Sequence, residues 1–461
     1  MHDGMPLSPR AVVDAGLCIG CGACAAYPGS GEVDMELDRY GLYKPAGSAA
    51  WLSTPSAEFS RLCPFSPAAS SEEELASSRF PQALHDDPLL GRYEALYVGH
   101  VEEGRYRQDG SSGGLATWLA TELLRVREVD RVVHVVETRE PEGTLFRYTI
   151  SDDESDVRSG AKSRYYPVEL SGVLRRIRAE PGRYAVVGIP CMVKTVQLVC
   201  QRDEIVRERV RYCIGLVCGH MKSTRFTESF ARQSDVKRDA ICGVDYRVKR
   251  PERPASWYRV GFRLRGGGER QRDWWHMLEG DWGAGFFQSP ACDFCDDVMA
   301  ELADACVGDA WQEPYSSDGR GTNIAVVRSR RIMKLLQDAA EAGRISLTGV
   351  DSKFAVSTQA AAFRHRREGL AYRLKKFPPP LALKKRVADI SSLSPRRRAI
   401  YRLRRHISRW SHRVFCFSQL AHLGFVYVVW ARTAASLYAG VTYSRGAPGK
   451  IADRIFRGTR A

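Results

Sequence analysis

The pattern of hydrophobic and polar positions changes near residue 89, where segments with helical spacing begin to alternate with short β-branched segments. Apolar residues three or four apart predict helices over Leu115–Leu124 and Leu170–Ala179, and a further helix from Met192. Val132–Glu137 is rich in valine and Tyr184–Gly188 is a short apolar run that enters a loop, so both predict strands. This order predicts an α/β domain with a mixed sheet, in which ligands bind at the carboxyl ends of strands.

The same patterns divide the chain into three parts. Residues 1–80 form a small module ending in a stretch rich in Ser, Ala and Glu, Ser66–Ser78, which we interpret as a linker. The α/β domain covers residues 89–360, and residues 361–461 form a basic helical extension. We find no internal repeat and no GxGxxG dinucleotide-binding motif in the sequence.

Composition indicates a reducing environment and a localised charge. The chain has 461 residues with 13 cysteines, and without a secretory leader this predicts a cytoplasmic protein whose thiols can bind metal. Residues 363–461 carry 23 Lys and Arg against three acidic residues, whereas the preceding part carries 46 basic against 51 acidic residues. The net charge of +15 is therefore a property of the extension.

Cysteines near the N-terminus have the spacing of an iron-sulfur site. Cys18, Cys21 and Cys24 form a CxxCxxC run, and Cys63 is followed directly by a proline. Thiolates with this spacing can surround a 4Fe-4S cluster. A zinc site or a disulfide pair is the alternative, but zinc sites usually combine two CxxC or Cys/His pairs. Tyr27, rather than a cysteine, precedes the nearby proline, so we expect one cluster in this module.

Two loops of the α/β domain have the composition of a nucleotide site. The first loop contains Ser111, Ser112, Gly113 and Gly114 and leads into the helix predicted from Leu115. Small residues at a helix N-terminus expose backbone amides that can bind the pyrophosphate of a flavin nucleotide, although such a sequence is more often only a helix cap. The second loop contains Lys162, Ser163, Arg164 and Tyr165, which suit an anionic aromatic ligand. A solvated turn explains the second loop equally well.

Further cysteines lie at turns of the same domain. Gly188 begins the sequence Gly-Ile-Pro-Cys, which places Cys191 at the carboxyl end of a predicted strand. Cys292 and Cys295 form a CxxC pair, which in a reduced protein is more often a redox or metal site than core packing. Two thiols are too few for a cluster, so their partners come from elsewhere. Cys191 and Cys218, both at glycine-containing turns, are the candidates.

These motifs, in this order and with this spacing, resemble the beta subunit family of coenzyme F420 hydrogenases and dehydrogenases. The resemblance covers about residues 10–330 and rests on the sequences SSGG, KSRYYP, VVGIPC, GLVCGH, CDFCDD and ADACVGDAW. Each motif is weak alone, and the combination is specific. The family includes flavin- and iron-sulfur-dependent reductases of chlorophyll-type tetrapyrroles, and bacterial members that are often linked with polysaccharide biosynthesis.

The resemblance implies two kinds of cofactor. It implies an FAD held by the Ser111–Gly114 loop, the Lys162–Tyr165 loop and the strand end at Gly188 and Pro190. Besides the ferredoxin-like N-terminal module, it implies a second 4Fe-4S cluster whose ligands are Cys191, Cys218, Cys292 and Cys295. Cys306 stands where the family usually has an apolar residue, so it is either a substitute ligand or a small buried residue.

The expected function is that of an iron-sulfur flavoprotein oxidoreductase, because a flavin exchanges two electrons as hydride and single electrons with clusters. The electron donor is a ferredoxin or a deazaflavin coenzyme, and the sequence identifies no substrate. His220 and His276 are possible general acids, but each is better explained as a structural residue. The alternative function is a non-catalytic electron-transfer subunit within a larger reductase or hydrogenase complex.

The basic extension contains an uncharged stretch rich in aromatic and aliphatic residues, Val414–Ala431. Its length reaches the lower limit for a membrane span, but Ser418, Gln419 and His422 weaken that interpretation. An interfacial helix attracted to anionic lipid fits better, and a helix docked on the body or on a partner subunit fits equally well. Nucleic-acid binding is less favoured, because no recognised binding fold accompanies the charge. We expect peripheral contact at the inner face of the membrane, with chemistry that survives removal of the extension.

Overall fold

The structure is a computed structural model that describes residues 5–29, 31–138 and 143–456. The N-terminal part of the chain consists of short elements packed against the α/β domain. Ser8, Ser48 and Ser56 each accept a hydrogen bond from a backbone amide and so cap three of its short helices. The elements are α1 (Pro9–Asp14), α2 (Ala23–Ala26), β1 (Asp34–Leu37), β2 (Tyr43–Ala46), α3 (Ala49–Ser53), α4 (Ala57–Leu62), α5 (Glu72–Arg79), β3 (His85–Asp87) and β4 (Gly91–Tyr93).

The predicted linker over Ser66–Ser78 is wrong, because half of it belongs to helix α5. The helix begins with a capping box: Ser71 Oγ accepts from the Glu74 amide at 3.1 Å, and the Glu74 carboxylate accepts from the Ser71 amide at 2.8 Å. Leu75 is buried in the main hydrophobic core. The polar composition of this segment therefore reflects helix capping and buried ion pairing rather than solvent exposure.

The described residues of the central domain build an eight-stranded mixed sheet, which confirms the predicted α/β class. Its strands are β5 (Ala95–Val101), β6 (Arg131–Glu137), β7 (Phe146–Ser151), β8 (Tyr184–Gly188), β9 (Val210–Leu216), β13 (Ala305–Asp309), β14 (Asn323–Val327) and β15 (Ile345–Gly349). Their order is β15-β5-β14-β13-β9-β8-β6-β7. The four strands β6, β8, β9 and β13 are parallel, and antiparallel strands flank them on both sides.

Helices cover both faces of this sheet, as parallel strands require. Successive residues of β8 point to opposite faces. Ala185 packs in one hydrophobic cluster with Leu119 and Leu336. Val186 packs in another, with Leu174, Val196 and residues of the N-terminal part. The helices of the domain are α6 (Tyr106–Asp109), α7 (Leu115–Arg125), α8 (Glu154–Ser159), α9 (Ser171–Ala179), α10 (Pro190–Arg202), α11 (Glu204–Arg209), α12 (Thr224–Gln233), α13 (Arg330–Glu341) and α14 (Ser352–Ser357). The predicted helices agree with α7, α9 and α10 to within two residues.

A smaller antiparallel sheet, which the sequence did not predict, lies beside the main one. It consists of β10 (Ile241–Val248), β11 (Arg259–Leu264) and β12 (Glu269–Asp273). Its apolar residues form an aromatic-rich cluster with helix α12 and with the helices near the C-terminus.

The basic extension folds against the body of the protein. It contains α15 (Ala360–Arg366), α16 (Glu368–Lys376), a segment without helix or strand over residues 377–394, α17 (Pro395–Leu420), α18 (Gly424–Tyr443) and α19 (Gly446–Ile455). The uncharged stretch Val414–Ala431 is therefore divided between two helices that form a hairpin. In the described parts of the chain, no helix is both long enough and apolar enough to cross a membrane.

Candidate functional site

A cavity of about 290 Å³ lies at the carboxyl ends of the parallel strands. Gly188, Val217 and Asp309, which lie at or next to the ends of β8, β9 and β13, are parts of its wall. The topology of the sheet places ligands at this edge, and the volume is near the lower end of the range for cofactor pockets.

The first predicted loop lies at this cavity. Ser111, Ser112 and Gly114 line it, together with residues of the first turn of α7, so the amide end of that helix faces the cavity. Gly114 has a φ of 89°, and a Cβ there would lie 2.6 Å from the carbonyl carbon of Tyr106, so this position requires glycine. Gly113 does not line the cavity; a Cβ on it would point at strands β5 and β14.

The second predicted loop lies at the same cavity, which Lys162, Ser163, Arg164 and Tyr165 all line. The Ser163 amide donates to Ser111 Oγ at 2.8 Å, which joins the two loops. Lys162 has a left-handed φ of 104°, and its Nζ pairs with Asp245 at 3.0 Å. The structure thus brings together all the proposed flavin-binding residues except Gly113 and Pro190.

Further polar side chains of the cavity include His220, from the GLVCGH motif, and Lys222 and Arg247, which no sequence motif marks. His220 stacks on Trp282 with ring centroids 4.3 Å apart, and Lys222 Nζ lies 4.5 Å from the centre of the same indole. Burial lowers the pKa of His220 and of Lys222 well below their usual values, because it disfavours the charged form of each side chain. Arg247 pairs with Asp309 through two bonds of 2.7 and 2.8 Å.

Two other residues of the cavity wall come from a strand of the sheet and from a helix beside it. His134 lies on β6, where its Nε2 is 2.9 Å from Ser151 Oγ and burial lowers its pKa to about 4. Met192 enters the wall from the first turn of α10. His276, in contrast, is exposed and does not line the cavity.

The four N-terminal cysteines line one small, mostly apolar cavity: Cys18, Cys21, Cys24 and Cys63. Cys24 lies in α2, and Cys63 directly follows α4. The loop turns tightly at Gly20, whose φ is 69° and where a Cβ would lie 2.6 Å from the carbonyl oxygen of Tyr43. This is the cavity for which the sequence predicts the first cluster.

The four distal cysteines line a second small cavity: Cys191, Cys218, Cys292 and Cys295. Cys191 belongs to the first turn of α10, next to Pro190, which lines this cavity. Pro190 does not line the cavity at the strand ends, which we call the flavin cavity because the sequence predicts a flavin there. Cys306 is fully buried in β13 and does not line the cavity, which supports the interpretation as a small core residue.

The donor set in both cavities fits an iron-sulfur cluster. Burial, and then neighbouring thiols, raise the pKa of Cys24 and of Cys191, and burial raises the pKa of Cys21 and of Cys292 to about 11. Cationic iron would replace these protons, because only the thiolate binds metal. Among the described residues, no three His, Cys, Asp or Glu side chains converge on a single metal ion. A 4Fe-4S cube is wider, since each of its four irons takes its own thiolate.

The three cavities form a continuous row. Cys218 and Met221 line both the flavin cavity and the distal cysteine cavity. Ile19 and Phe65 line both the distal and the N-terminal cysteine cavity. Each neighbouring pair of cavities therefore shares two residues of its wall.

These cavities define the chain as an α/β protein with one nucleotide-sized site and two four-cysteine sites. Two models of one family, described as coenzyme F420 hydrogenase/dehydrogenase beta subunit, match the chain: the N-terminal model over residues 96–175 and the C-terminal model over residues 182–353. The chain belongs to the coenzyme F420 hydrogenase/dehydrogenase beta subunit family, which the motifs had indicated.

Solved structures that resemble the chain include a subunit of a hydrogenase complex. A chain in the F420-reducing NiFe hydrogenase complex from Methanosarcina barkeri is 16% identical, with a TM-score of 0.49. The match covers 65% of this protein and 99% of that chain. A likeness at this level supports no conclusion about the site. A comparison with curated proteins finds no match.

Proposed function

We propose that the chain is an iron-sulfur flavoprotein oxidoreductase that moves electrons between a reduced donor, FAD and two 4Fe-4S clusters. The observation that carries this proposal is the continuous row of three cavities, in which Cys218 and Met221 join the first to the second and Ile19 and Phe65 join the second to the third. Membership of the family supports the assignment to oxidoreductases.

The loops of the first cavity suit the parts of FAD. The small residues Ser111, Ser112 and Gly114 and the amide end of α7 would hold the pyrophosphate, with Lys162 supplying positive charge. Gly188 leaves room at the strand end, where a Cβ would lie 3.3 Å from Met192 Cβ. When bound, FAD supplies hydride chemistry toward a donor and one-electron chemistry toward clusters.

The residues around the shared wall limit access of water and protons. Cys218 is 8% exposed and Met221 is 8% exposed, so the wall between the flavin cavity and the distal cysteines has little contact with bulk solvent. Lys222 holds its position by donating from Nζ to the carbonyl oxygen of Phe286 at 2.6 Å. Burial lowers the pKa of this ammonium group, which favours release of a proton from Nζ beside the flavin cavity.

The proposal covers the electron donor and a second candidate function. A ferredoxin or a deazaflavin coenzyme is the proposed donor, and a non-catalytic electron-transfer subunit of a hydrogenase-type complex is the second candidate function. The family contains beta subunits, which favours the second candidate. Turnover by the isolated chain with a reduced donor and a soluble acceptor supports an enzyme, whereas turnover only with a partner subunit supports the alternative.

Anaerobic purification with quantitation of iron, sulfide and flavin tests the proposal. We expect about eight iron atoms, about eight sulfide ions and about one FAD per chain. A screen of ferredoxin, nicotinamide and deazaflavin donors then identifies which of them reduces the flavin. Protein that takes up flavin without iron, or iron without flavin, contradicts the proposed function.

We also propose peripheral contact with an anionic membrane, through the tip of the α17–α18 hairpin. Large apolar side chains are exposed there: Phe417, Leu420, Leu423 and Phe425, with Leu420 83% exposed. Arg409, Arg413 and Arg432 are exposed on the two helices beside the tip. An apolar tip flanked by cations complements the acyl and headgroup layers of an anionic bilayer.

Vesicle sedimentation tests this contact. The intact protein is expected to sediment with anionic vesicles at low salt, less so at high salt, and weakly with neutral vesicles. A Leu420→Ser and Phe425→Ser double variant should lose binding, and a matched Ile205→Ser variant, which alters an exposed apolar residue elsewhere, should keep it. If the intact protein ignores anionic vesicles at low salt, the hairpin tip is instead a surface for a partner subunit.

A further inference from the structure

Arg366 places a buried guanidinium at the distal cysteine cavity. It is the last residue of α15, in the part of the chain that the sequence assigned to the basic extension, and it is 1% exposed. Its side chain lines the cavity together with the four cysteines. Its Nη2 donates to the carbonyl oxygen of Gly219 at 2.8 Å and lies 3.9 Å from Cys218 Sγ.

The charge of this guanidinium is not compensated by a carboxylate. Two neighbouring cations have such partners: Arg367 pairs with Glu301 at 3.5 Å, and Arg373 lies 3.8 Å from Asp293. Within the described chain, Arg366 forms no ion pair of this kind, and its Nε and Nη1 have no hydrogen-bond partner. A buried cation without an anion is costly, so these atoms indicate an anionic neighbour.

The groups around Arg366 that can carry negative charge are the thiols of the cavity. The electrostatic interactions that favour its charged form are with Cys295, Cys218, Cys292 and Cys191. Four thiolates around a 4Fe-4S core carry a net negative charge, and that charge increases when the cluster is reduced. The N-terminal cavity differs, because no Lys or Arg side chain among the described residues lines it.

We infer that Arg366 is the counterion of the distal cluster and raises its reduction potential. This inference rests on the proposed function, because it requires a cluster on the four distal cysteines. Reduction adds one electron to the cluster, and a fixed positive charge at this distance stabilises the reduced form more than the oxidised form. Arginine stays protonated throughout, so the step needs no proton.

The alternative role of Arg366 is to hold the Gly219 turn in place through its hydrogen bond. Two variants of the intact protein distinguish an effect of the charge from an effect of the hydrogen bond. Arg366→Gln removes the charge, and Arg366→Lys keeps a positive charge in the same place. Arg364→Gln is the matched control, because this residue lies on the same helix and is exposed.

The experiment is a redox titration of the anaerobically purified protein, followed by electron paramagnetic resonance, with iron content measured in parallel. In Arg366→Gln we expect the midpoint potential of one cluster to fall by about 59 mV or more, which corresponds to about a tenfold change in a one-electron equilibrium. The other cluster should keep its potential. Arg366→Lys should retain most of the wild-type value, and Arg364→Gln should retain all of it.

The outcomes separate this inference from the proposed function. Wild-type protein without two clusters contradicts the proposed function before any variant is measured. Two clusters with unchanged potentials in Arg366→Gln overturn the counterion role. Equal shifts in the Gln and Lys variants, or equal loss of the distal cluster from both, assign Arg366 a geometric role instead. Loss of the cluster from the Gln variant alone supports the need for a charge.

Discussion

Lys162 shows how one residue can serve both the fold and a ligand. Its left-handed backbone is unusual for a residue with a side chain, and its Nζ neutralises Asp245 at 3.0 Å beside the flavin cavity. A carboxylate left unpaired there would repel a phosphate. Lys162 therefore both supplies a cation and removes the effect of an anion.

We predict that Lys162→Ala weakens FAD binding roughly tenfold or more, because it removes a cation and exposes Asp245. The double variant Lys162→Ala with Asp245→Asn should recover part of the affinity. Fluorescence titration of the apoprotein with FAD measures both. Full flavin content in the single variant would mean that phosphate is bound elsewhere.

Gly113 is a fold residue rather than a ligand residue. A Cβ there would lie 2.8 Å from the carbonyl oxygen of Gly99 and 2.9 Å from the amide nitrogen of Asn323. We predict that Gly113→Ala lowers the unfolding free energy by about 1–3 kcal/mol through this crowding. Gly172→Ala is the control, since a Cβ at that position has open space. Equal melting temperatures for the two variants would contradict the prediction.

At the scale of elements, α10 and the turn Pro290–Phe294 bring thiols far apart in sequence to one cavity. We predict that Cys191→Ala and Cys292→Ala each remove the same cluster and lower the iron content by about half. Cys306→Ala should keep full iron content, because this thiol lies in β13 and not in the cavity wall. Retention of two full clusters in either of the first two variants rules out that ligand.

We predict that the stability of the protein depends on pH through a buried histidine of the helical hairpin. Burial lowers the pKa of His412, on α17, to about 4, and its ring packs edge-on against Tyr40 and Phe287. The folded-state pKa lies below the unfolded value of about 6.5, so this stabilisation is present above pH 6.5 and is lost as the pH falls toward 4. We expect the free energy of unfolding to fall between about pH 7 and about pH 4.5, and to fall by about 2 kcal/mol less in His412→Leu than in wild type. Denaturant unfolding at the two pH values measures this. Equal losses of unfolding free energy in both proteins would mean that a group other than His412 takes up the proton.

At the scale of the whole molecule, the extension is bound to the body by a buried ion network. Lys385 Nζ lies 2.7 Å from Asp296 beside the distal cysteines and 3.4 Å from Glu72 on α5. Arg386 pairs with Asp296 and with Glu301. Removing one side of such a network leaves uncompensated buried charges on the other.

The expectation that the chemistry survives removal of the extension therefore gives way to the opposite prediction. A chain ending at residue 359 lacks Arg366, Lys385 and the hairpin that covers the aromatic cluster, so it should lose the distal cluster and aggregate. A chain ending at residue 445 keeps these parts and is the control. Size-exclusion chromatography with iron analysis distinguishes them, and a soluble short chain with two clusters would contradict the prediction.

The sequence by itself determined the features that depend on local spacing. The alternation of helical and β-branched segments, seen in α7, β6 and β8, predicts the α/β class. It does so because the spacing of apolar residues differs between a helix and a strand. The CxxCxxC run and the CxxC pair identify thiols that meet within a single loop. The small sheet β10–β12 escaped prediction because its strands carry charged residues on their exposed face.

The tertiary structure alone decided which distant polar residues are buried together. The sequence suggests that Glu72 is exposed, because it lies in a stretch that resembles a linker, and that Lys385 is exposed, because it lies in the basic extension. Both side chains are buried in one ion network, since each has an oppositely charged partner that composition does not reveal. The same holds for Arg366, which reaches the distal cysteines from a different part of the chain. Buried charges are stabilised by partners remote in sequence, and only the folded chain places those partners side by side.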